Sequence, residues 1–111
     1  MRALIVGSGG LIATSLQAQV PAGVEVIGVD LPNFDITDPA LVQREIDHCQ
    51  PDIVLNASGY LAVDKAETDR TAVTRVNADG PRYLAQALAH GTARMVHLST
   101  NYVFSGTSSV P

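Results

Sequence analysis

The sequence predicts an α/β fold, a doubly wound parallel sheet, on three observations. Short apolar runs alternate with stretches of helical spacing. Glycine or proline punctuates most junctions between them. Polar and acidic residues cluster just after the apolar runs, at the carboxyl ends of the predicted strands, where such sheets bind ligands.

Residues 3 to 6 form a buried strand that stops at Gly7. Gly7-Ser8-Gly9-Gly10 is a turn, and residues 11 to 19 follow as a helix that ends before Pro21-Ala22-Gly23. Residues 24 to 29 form the second strand, closing at Asp30. Phe34-Asp35-Ile36 is a very short third strand. Asp38 caps the next helix, with Pro39 at its first position, where proline needs no N–H partner. Leu41, Val42, Ile46 and Cys49 line one side of that helix. Pro51 restarts the chain into a fourth strand at residues 52 to 56, and residues 57 to 69 are mostly loop.

Residues 71 to 90 carry helical spacing through Val73, Val76, Tyr83, Leu84, Ala87 and Leu88, although Gly80-Pro81 should bend or end such a helix. Gly91 is its C-cap. Residues 94 to 98 make the fifth strand, followed by the polar turn Ser99-Thr100-Asn101. Strands separated by helices run parallel through right-handed crossovers, so five strands make an open sheet.

Composition narrows the function. A chain of 111 residues is one domain, and 46% apolar residues suffice for a core. Only 16% of residues are charged, below the roughly 25% usual for soluble domains, which suggests a face covered by further chain or by a partner. A net charge of −4 carries no basic nucleic-acid footprint. No apolar run is long enough for a membrane span or a signal segment, and the single Cys49 makes no internal disulfide, so a reducing cytoplasm fits. His48, His90 and His97 share no metal-ligand spacing with Cys49 or with one another, and no metal site is expected. His48 and His90 read as surface residues near helix ends and His97 as part of a strand. Lys65 lies in a charged, solvated loop without a partner base.

The turn Gly7-x-x-Gly10-x-x-Ala13 sits between a strand and a helix. Gly7 permits a tight turn. Gly10 lets a pyrophosphate approach backbone N–H groups, and Ala13 lets the helix lie close to the strand. Such a turn is common in loops of no special function. Its meaning comes from the strand before it, the helix after it and an acidic residue further on. That residue is Asp30, at the end of the second strand, where a carboxylate can accept both adenosine ribose hydroxyls and repel a 2′-phosphate. The plain alternative is a solvent-exposed turn aspartate. Asp35 can bond an adenine amino group and Ile36 can pack on the ring; turn chemistry and core burial explain them equally well. Leu11 and Ile12, which open the first helix, complete the turn's share of the site. The small residues of Asn56-Ala57-Ser58-Gly59-Tyr60 let a flat cofactor pass, and a hydroxyl in Ser99-Thr100-Asn101-Tyr102 can polarise a substrate oxygen. The pattern is that of a Rossmann-type domain binding NAD(H) or NADP(H).

Several strings then occur in order: Gly7-x-x-Gly10, Phe34-Asp35-Ile36-Thr37-Asp38-Pro39, Asp52-Ile53-Val54-Leu55-Asn56-Ala57, Ala62-Val63-Asp64-Lys65-Ala66-Glu67, Val76-Asn77-Ala78-Asp79-Gly80-Pro81, and Ser99-Thr100-Asn101-Tyr102-Val103-Phe104-Ser105-Gly106. Together they resemble the dTDP-4-dehydrorhamnose reductase family of extended short-chain dehydrogenases, from residue 1 to about residue 107. The resemblance implies that Gly7, Gly10 and Ala13 cover the pyrophosphate, Asp30 the ribose, and Asp35 with Ile36 the adenine. Ala57, Ser58 and Gly59 would line the cofactor with Tyr60 beside them, and Leu98 would sit at the nicotinamide side. Thr100 would be the catalytic hydroxyl, Thr100 and Asn101 would meet the sugar, and Asn77 would hold the site architecture.

Two departures stand out. Asn101 replaces the aspartate usual in the Ser-Thr-Asp-Tyr string. The Tyr-x-x-x-Lys pair of the family is absent, since neither Tyr83 nor Tyr102 has a lysine four positions on. The resemblance therefore implies residues 1–111 as the NAD(P)-binding domain of a longer reductase acting on the C4 keto group of a dTDP-deoxysugar, converting dTDP-4-dehydrorhamnose to dTDP-rhamnose. The C-terminal part of the family fold would be missing and this chain alone inactive. Its expected partners are a nucleotide-sugar substrate and either a second copy or the remainder of the fold, with no nucleic acid and no membrane. The alternatives are a related nucleotide-sugar epimerase or dehydratase, or a non-catalytic NAD(P)-binding regulatory protein of the same fold.

Overall fold

The computed structural model describes residues 1–108; residues 109–111, the last three of the predicted domain, lie outside the described residues. The elements in chain order are β1 (Arg2–Val6), α1 (Leu11–Gln17), β2 (Glu25–Val29), α2 (Pro39–Cys49), β3 (Ile53–Asn56), α3 (Val63–Ala66), α4 (Arg70–Thr74), a π-helical turn (Arg75–Asp79), α5 (Gly80–Leu88), β4 (Arg94–His97) and a 3-10 turn (Asn101–Val103). The strands form one parallel sheet in the order β2-β1-β3-β4, with Ile5 opposite Gly28 on one side and Leu55 on the other. The chain leaves β1 toward β2 and then crosses back to β3. The strand order therefore reverses between β1 and β3, the switch point at which such sheets bind ligands.

Alternation along the strands divides the core. Leu4, Val6 and Val54 face α2 and α5, packing with Val42, Ile46, Leu84 and Leu88. The opposite face carries α1, whose Ala13 is fully buried. Gly28 makes that approach possible, because a Cβ there would stand 2.8 Å from Ser8 Cβ and 3.2 Å from Gln17 Oε1. Asp38 caps α2 as its sequence predicts, with Oδ1 accepting from the N–H groups of Ala40 and Leu41 at 2.9 and 3.1 Å.

Among the described residues the sheet has four strands, not five. Phe34-Asp35-Ile36 is not a strand, because its backbone bonds locally. Phe34 N–H donates to Asp30 O at 2.9 Å, Thr37 N–H to Asp35 Oδ1 at 2.8 Å, and Asp38 N–H to Asp35 O at 3.1 Å. Phe34 and Ile36 are buried nonetheless. Their apolar character reports packing rather than strand pairing.

The helix expected across Gly80-Pro81 does continue, as α4, the π-helical turn and α5. Proline lacks an N–H and its ring crowds the carbonyl four residues back. Widening the preceding turn, where Gly80 N–H bonds Arg75 O, relieves that conflict. Gly91 is not the C-cap; Ala89 is, in ordinary right-handed geometry. The loop after β3 contains the short α3, and α1 and β4 end earlier than expected, at Gln17 and His97. Beyond β4 the chain exposes Tyr102, Val103 and Phe104.

Candidate functional site

Two clefts open at the carboxyl ends of the strands, and they share Ala57, Ser58, Gly59 and Leu61, just after β3. The first, about 200 Å³, lies between the glycine turn, the loop after β2 and the π-helical turn. The second, about 420 Å³, lies between Asn77, the segment after β3 and the segment after β4.

Gly7 and Gly10 are glycines for different reasons. Gly7 has φ +80, and a Cβ there would stand 2.8 Å from both Cα and N of Ser58. The turn after β1 thus touches the segment after β3 through a residue that must lack a side chain. Gly10 has φ −72 and ψ 160, which any residue adopts. A Cβ there would meet Gly7 O at 3.3 Å and nothing else within 4 Å. What its missing side chain leaves open is the wall of the first cleft, which Gly10 lines.

Asp30 also lines this cleft. Its Oδ2 accepts the Gly9 N–H at 2.8 Å and its Oδ1 the Leu31 N–H at 2.9 Å. An ionised carboxylate offers about four lone-pair sites, so about two remain for a ligand. Asp35 and Ile36 line the same cleft. Asp35 Oδ1 bonds the Thr37 N–H, and Ile36 is buried against Gly80.

The segment between the clefts is anchored from below and from the side. Asn56, 1% exposed, accepts Ser58 N–H at 3.1 Å and Ser58 Oγ–H at 2.6 Å through Oδ1. Its Nδ2 lies 3.1 Å from His97 Nδ1 on the neighbouring strand. From the helix, Asn77 Oδ1 accepts the Tyr60 N–H at 2.8 Å, and Asn77 Nδ2 donates to Tyr60 O at 3.5 Å. The π-helical turn thus presents a side chain that grips the loop backbone.

Tyr60, Ile12, Leu98 and Thr100 line the second cleft. Thr100 Oγ1 accepts the Tyr102 N–H at 3.2 Å, which starts the 3-10 turn. Leu11 and Asn101 line neither cleft, and Leu11 is 88% exposed.

Sequence reasoning missed the remaining walls of the first cleft, Val6, Leu31, Phe34, Leu61 and Val76. Nothing local marks Val76, since its spacing is that of a core residue. Asn56 paired with His97 was also missed; the available signal was a polar residue closing each of two adjacent apolar strands, which register aligns.

Comparisons with known proteins agree with this fold. The dTDP-4-dehydrorhamnose reductase of Sinorhizobium fredii is 40% identical over 111 residues, covering 100% of this chain and 38% of that protein. The crystal structure of a dTDP-4-dehydrorhamnose reductase from Clostridium acetobutylicum superposes with a TM-score of 0.92 at 36% identity, over 100% of this chain and 40% of that one. The Bacillus anthracis dTDP-4-dehydrorhamnose reductase, solved in complex with NADP, gives a TM-score of 0.89 at 33% identity, over 95% of this chain and 38% of that one. The chain thus spans less than half the length of these relatives. The RmlD substrate binding domain matches residues 1–111, the whole chain, and the protein belongs to that family.

Proposed function

We propose that residues 1–111 are the NAD(P)-binding domain of a reductase that acts on the C4 keto group of a dTDP-deoxysugar, as in dTDP-4-dehydrorhamnose reduction. The observation that carries the reading is the pair of clefts meeting at Ala57-Ser58-Gly59, one bordered by Gly7, Gly10 and Asp30 and the other by Leu98 and Thr100. A dinucleotide has the same two-part shape. The names of the relatives and the NADP held by the Bacillus anthracis reductase support the choice of cofactor and substrate class.

The residues fit such a cofactor. Gly10 leaves the cleft wall open without any backbone need for glycine, and Asp30 keeps acceptor capacity beside it. Bound NAD(P)H would supply hydride. The chain's own part is to hold the pyrophosphate against the glycine turn, accept the adenosine ribose hydroxyls on Asp30 and receive the adenine between Asp35 and Ile36. Ala57, Ser58 and Gly59 form the floor between the two halves. Thr100 lends a hydrogen bond to the reacting oxygen, and binding by donors placed in advance is what lowers a barrier of this kind.

Calorimetric titration of the 111-residue chain with NADH and NADPH tests the binding half of the proposal. One-to-one binding, competed by ADP-ribose, is expected. No heat with either nucleotide at millimolar concentration refutes it. Turnover of dTDP-4-dehydrorhamnose with NAD(P)H by a longer protein containing this chain tests the catalytic half, and loss of that turnover in Thr100→Val is the expected result.

A further inference from the structure

We propose that His97 is a positioning residue that acts through Asn56 to fix Ser58 at the junction of the two clefts, with His97 Nδ1 serving as a hydrogen-bond acceptor. The inference rests on the cofactor reading only where it predicts affinity; the relay itself stands on geometry.

The orientation of the Asn56 amide follows from its partners. A backbone N–H can only donate, so the atom of Asn56 that lies 3.1 Å from Ser58 N is the oxygen. The Ser58 hydroxyl at 2.6 Å shares that oxygen. The amide nitrogen is thereby turned toward His97, and an amide NH2 can only donate. His97 Nδ1 must therefore present its lone pair, which leaves the ring hydrogen on Nε2. Asn56 is 1% exposed, so the alternative of bonding to solvent is closed to it. No buried side-chain nitrogen or oxygen among the described residues lacks a partner, which the relay helps achieve.

The consequence reaches the site because of where Ser58 sits. Ser58 lines both clefts, and its Cα and N are the atoms that exclude any side chain at Gly7. A shift of Ser58 would move the contact between the glycine turn and the segment after β3. His97, at the end of the edge strand β4, itself lines the second cleft beside Leu98 and Thr100, so affinity alone does not separate a direct contact from the relay and the Ser58 resonance decides between them. The Asn56 relay thus ties the segments following β3 and β4 to each other. Register makes this possible, since Asn56 and His97 are paired residues at the ends of adjacent parallel strands.

Two substitutions separate this role from packing, because the one that loses more volume, His97→Asn, is the one expected to be tolerated. In His97→Asn the side-chain oxygen falls near the position of Nδ1 and keeps an acceptor for Asn56. In His97→Leu the same volume is kept and the acceptor is removed. We expect His97→Leu to weaken NADH binding about tenfold and to move the Ser58 amide resonance, as stranding a buried donor does. We expect His97→Asn to stay within about threefold of the parent, with the Ser58 resonance near its parental position. Nitrogen-15 spectra of the imidazole rings at neutral pH should show His97 with Nδ1 unprotonated. Asn56→Asp, whose carboxylate cannot donate, should move the hydrogen to Nδ1. Equal effects of the Asn and Leu substitutions on affinity, or a parental His97 protonated on Nδ1, overturn the inference. If the parent binds neither NADH nor NADPH, the cofactor reading fails. The inference is then decided by the Ser58 resonance, and a resonance unmoved in His97→Leu sinks it.

Discussion

The Asp30 carboxylate and the Gly9 backbone N–H are joined by a 2.8 Å hydrogen bond, so the residue that closes β2 also braces the glycine turn that follows β1. The two readings of this aspartate from the sequence, turn residue and ribose ligand, are therefore not exclusive. Its second oxygen takes the Leu31 N–H, and capacity for two further bonds remains.

The first prediction follows from that double duty. The chain should bind NADH at least as tightly as NADPH, because the carboxylate repels a 2′-phosphate. Asp30→Ala removes charge-assisted bonds to the ribose and the brace on Gly9 together. NADH affinity should fall about tenfold to a hundredfold, with the preference over NADPH narrowed or reversed. Titration calorimetry with both nucleotides measures this, and a clear NADPH preference in the unsubstituted chain would remove Asp30 from the ribose.

Gly7 and Gly10 should respond in opposite ways. Gly7→Ala forces a side chain into a left-handed backbone, 2.8 Å from Ser58, and should destabilise the fold by about 1–3 kcal/mol or more. Gly10→Val keeps an allowed backbone and places its branches in the cleft wall. It should retain its melting temperature and lose nucleotide binding. Thermal melts beside binding titrations separate the two, and undiminished affinity in Gly10→Val would show that the cofactor lies elsewhere.

Gly80 tests packing against helix propensity. Alanine is normally the better helix residue by about 1 kcal/mol. Here a Cβ would stand 2.9 Å from Ile36 Cγ1 and 3.0 Å from its Cδ1 and Cγ2. Ile36 is itself buried, so overpacking of about 1–3 kcal/mol should win and Gly80→Ala should destabilise. In urea unfolding, Gly80→Ala added to Ile36→Ala should be neutral or stabilising, a coupling visible in the double-mutant cycle. Additive losses would contradict the contact.

The legible parts of the molecule were those written locally. The Asp38 cap, the glycine turn and the four strands of the sheet depend on residues adjacent in sequence. The errors arose where a distant partner decides. Phe34 and Ile36 look like strand residues because they are apolar, yet the core under α5 claims them without a strand partner. The helix across Pro81 is read correctly from the sequence; what the sequence does not show is that the turn before it widens to π-helical geometry and carries Asn77 to the Tyr60 backbone. For the site, Gly7, Gly10, Asp30, Asp35 and Ile36 converge on one cleft, while Leu11, 88% exposed, lines neither cleft despite its place beside the turn.

Cys49 gives a pH-dependent prediction of known sign. The side chain is 3% exposed at the end of α2, and its Sγ–H donates to Glu45 Oε1 at 2.9 Å. Burial first, and then the hydrogen bond and charge of Glu45, push the thiol from 9.0 up to about 12. The folded state thus holds the thiol proton more tightly than the unfolded state. The stability this contributes is fully present below pH 9 and is lost as pH rises from 9 to about 12. Other groups titrate in that window, so the measurable quantity is the difference between the parent and Cys49→Ala, which should shrink across it in urea unfolding. The thiolate is the reactive form, so at pH 8 a disulfide reagent should leave the folded chain unmodified and label it promptly once unfolded. Rapid labelling of the folded chain at that pH would mean that the thiol is neither buried nor held by Glu45.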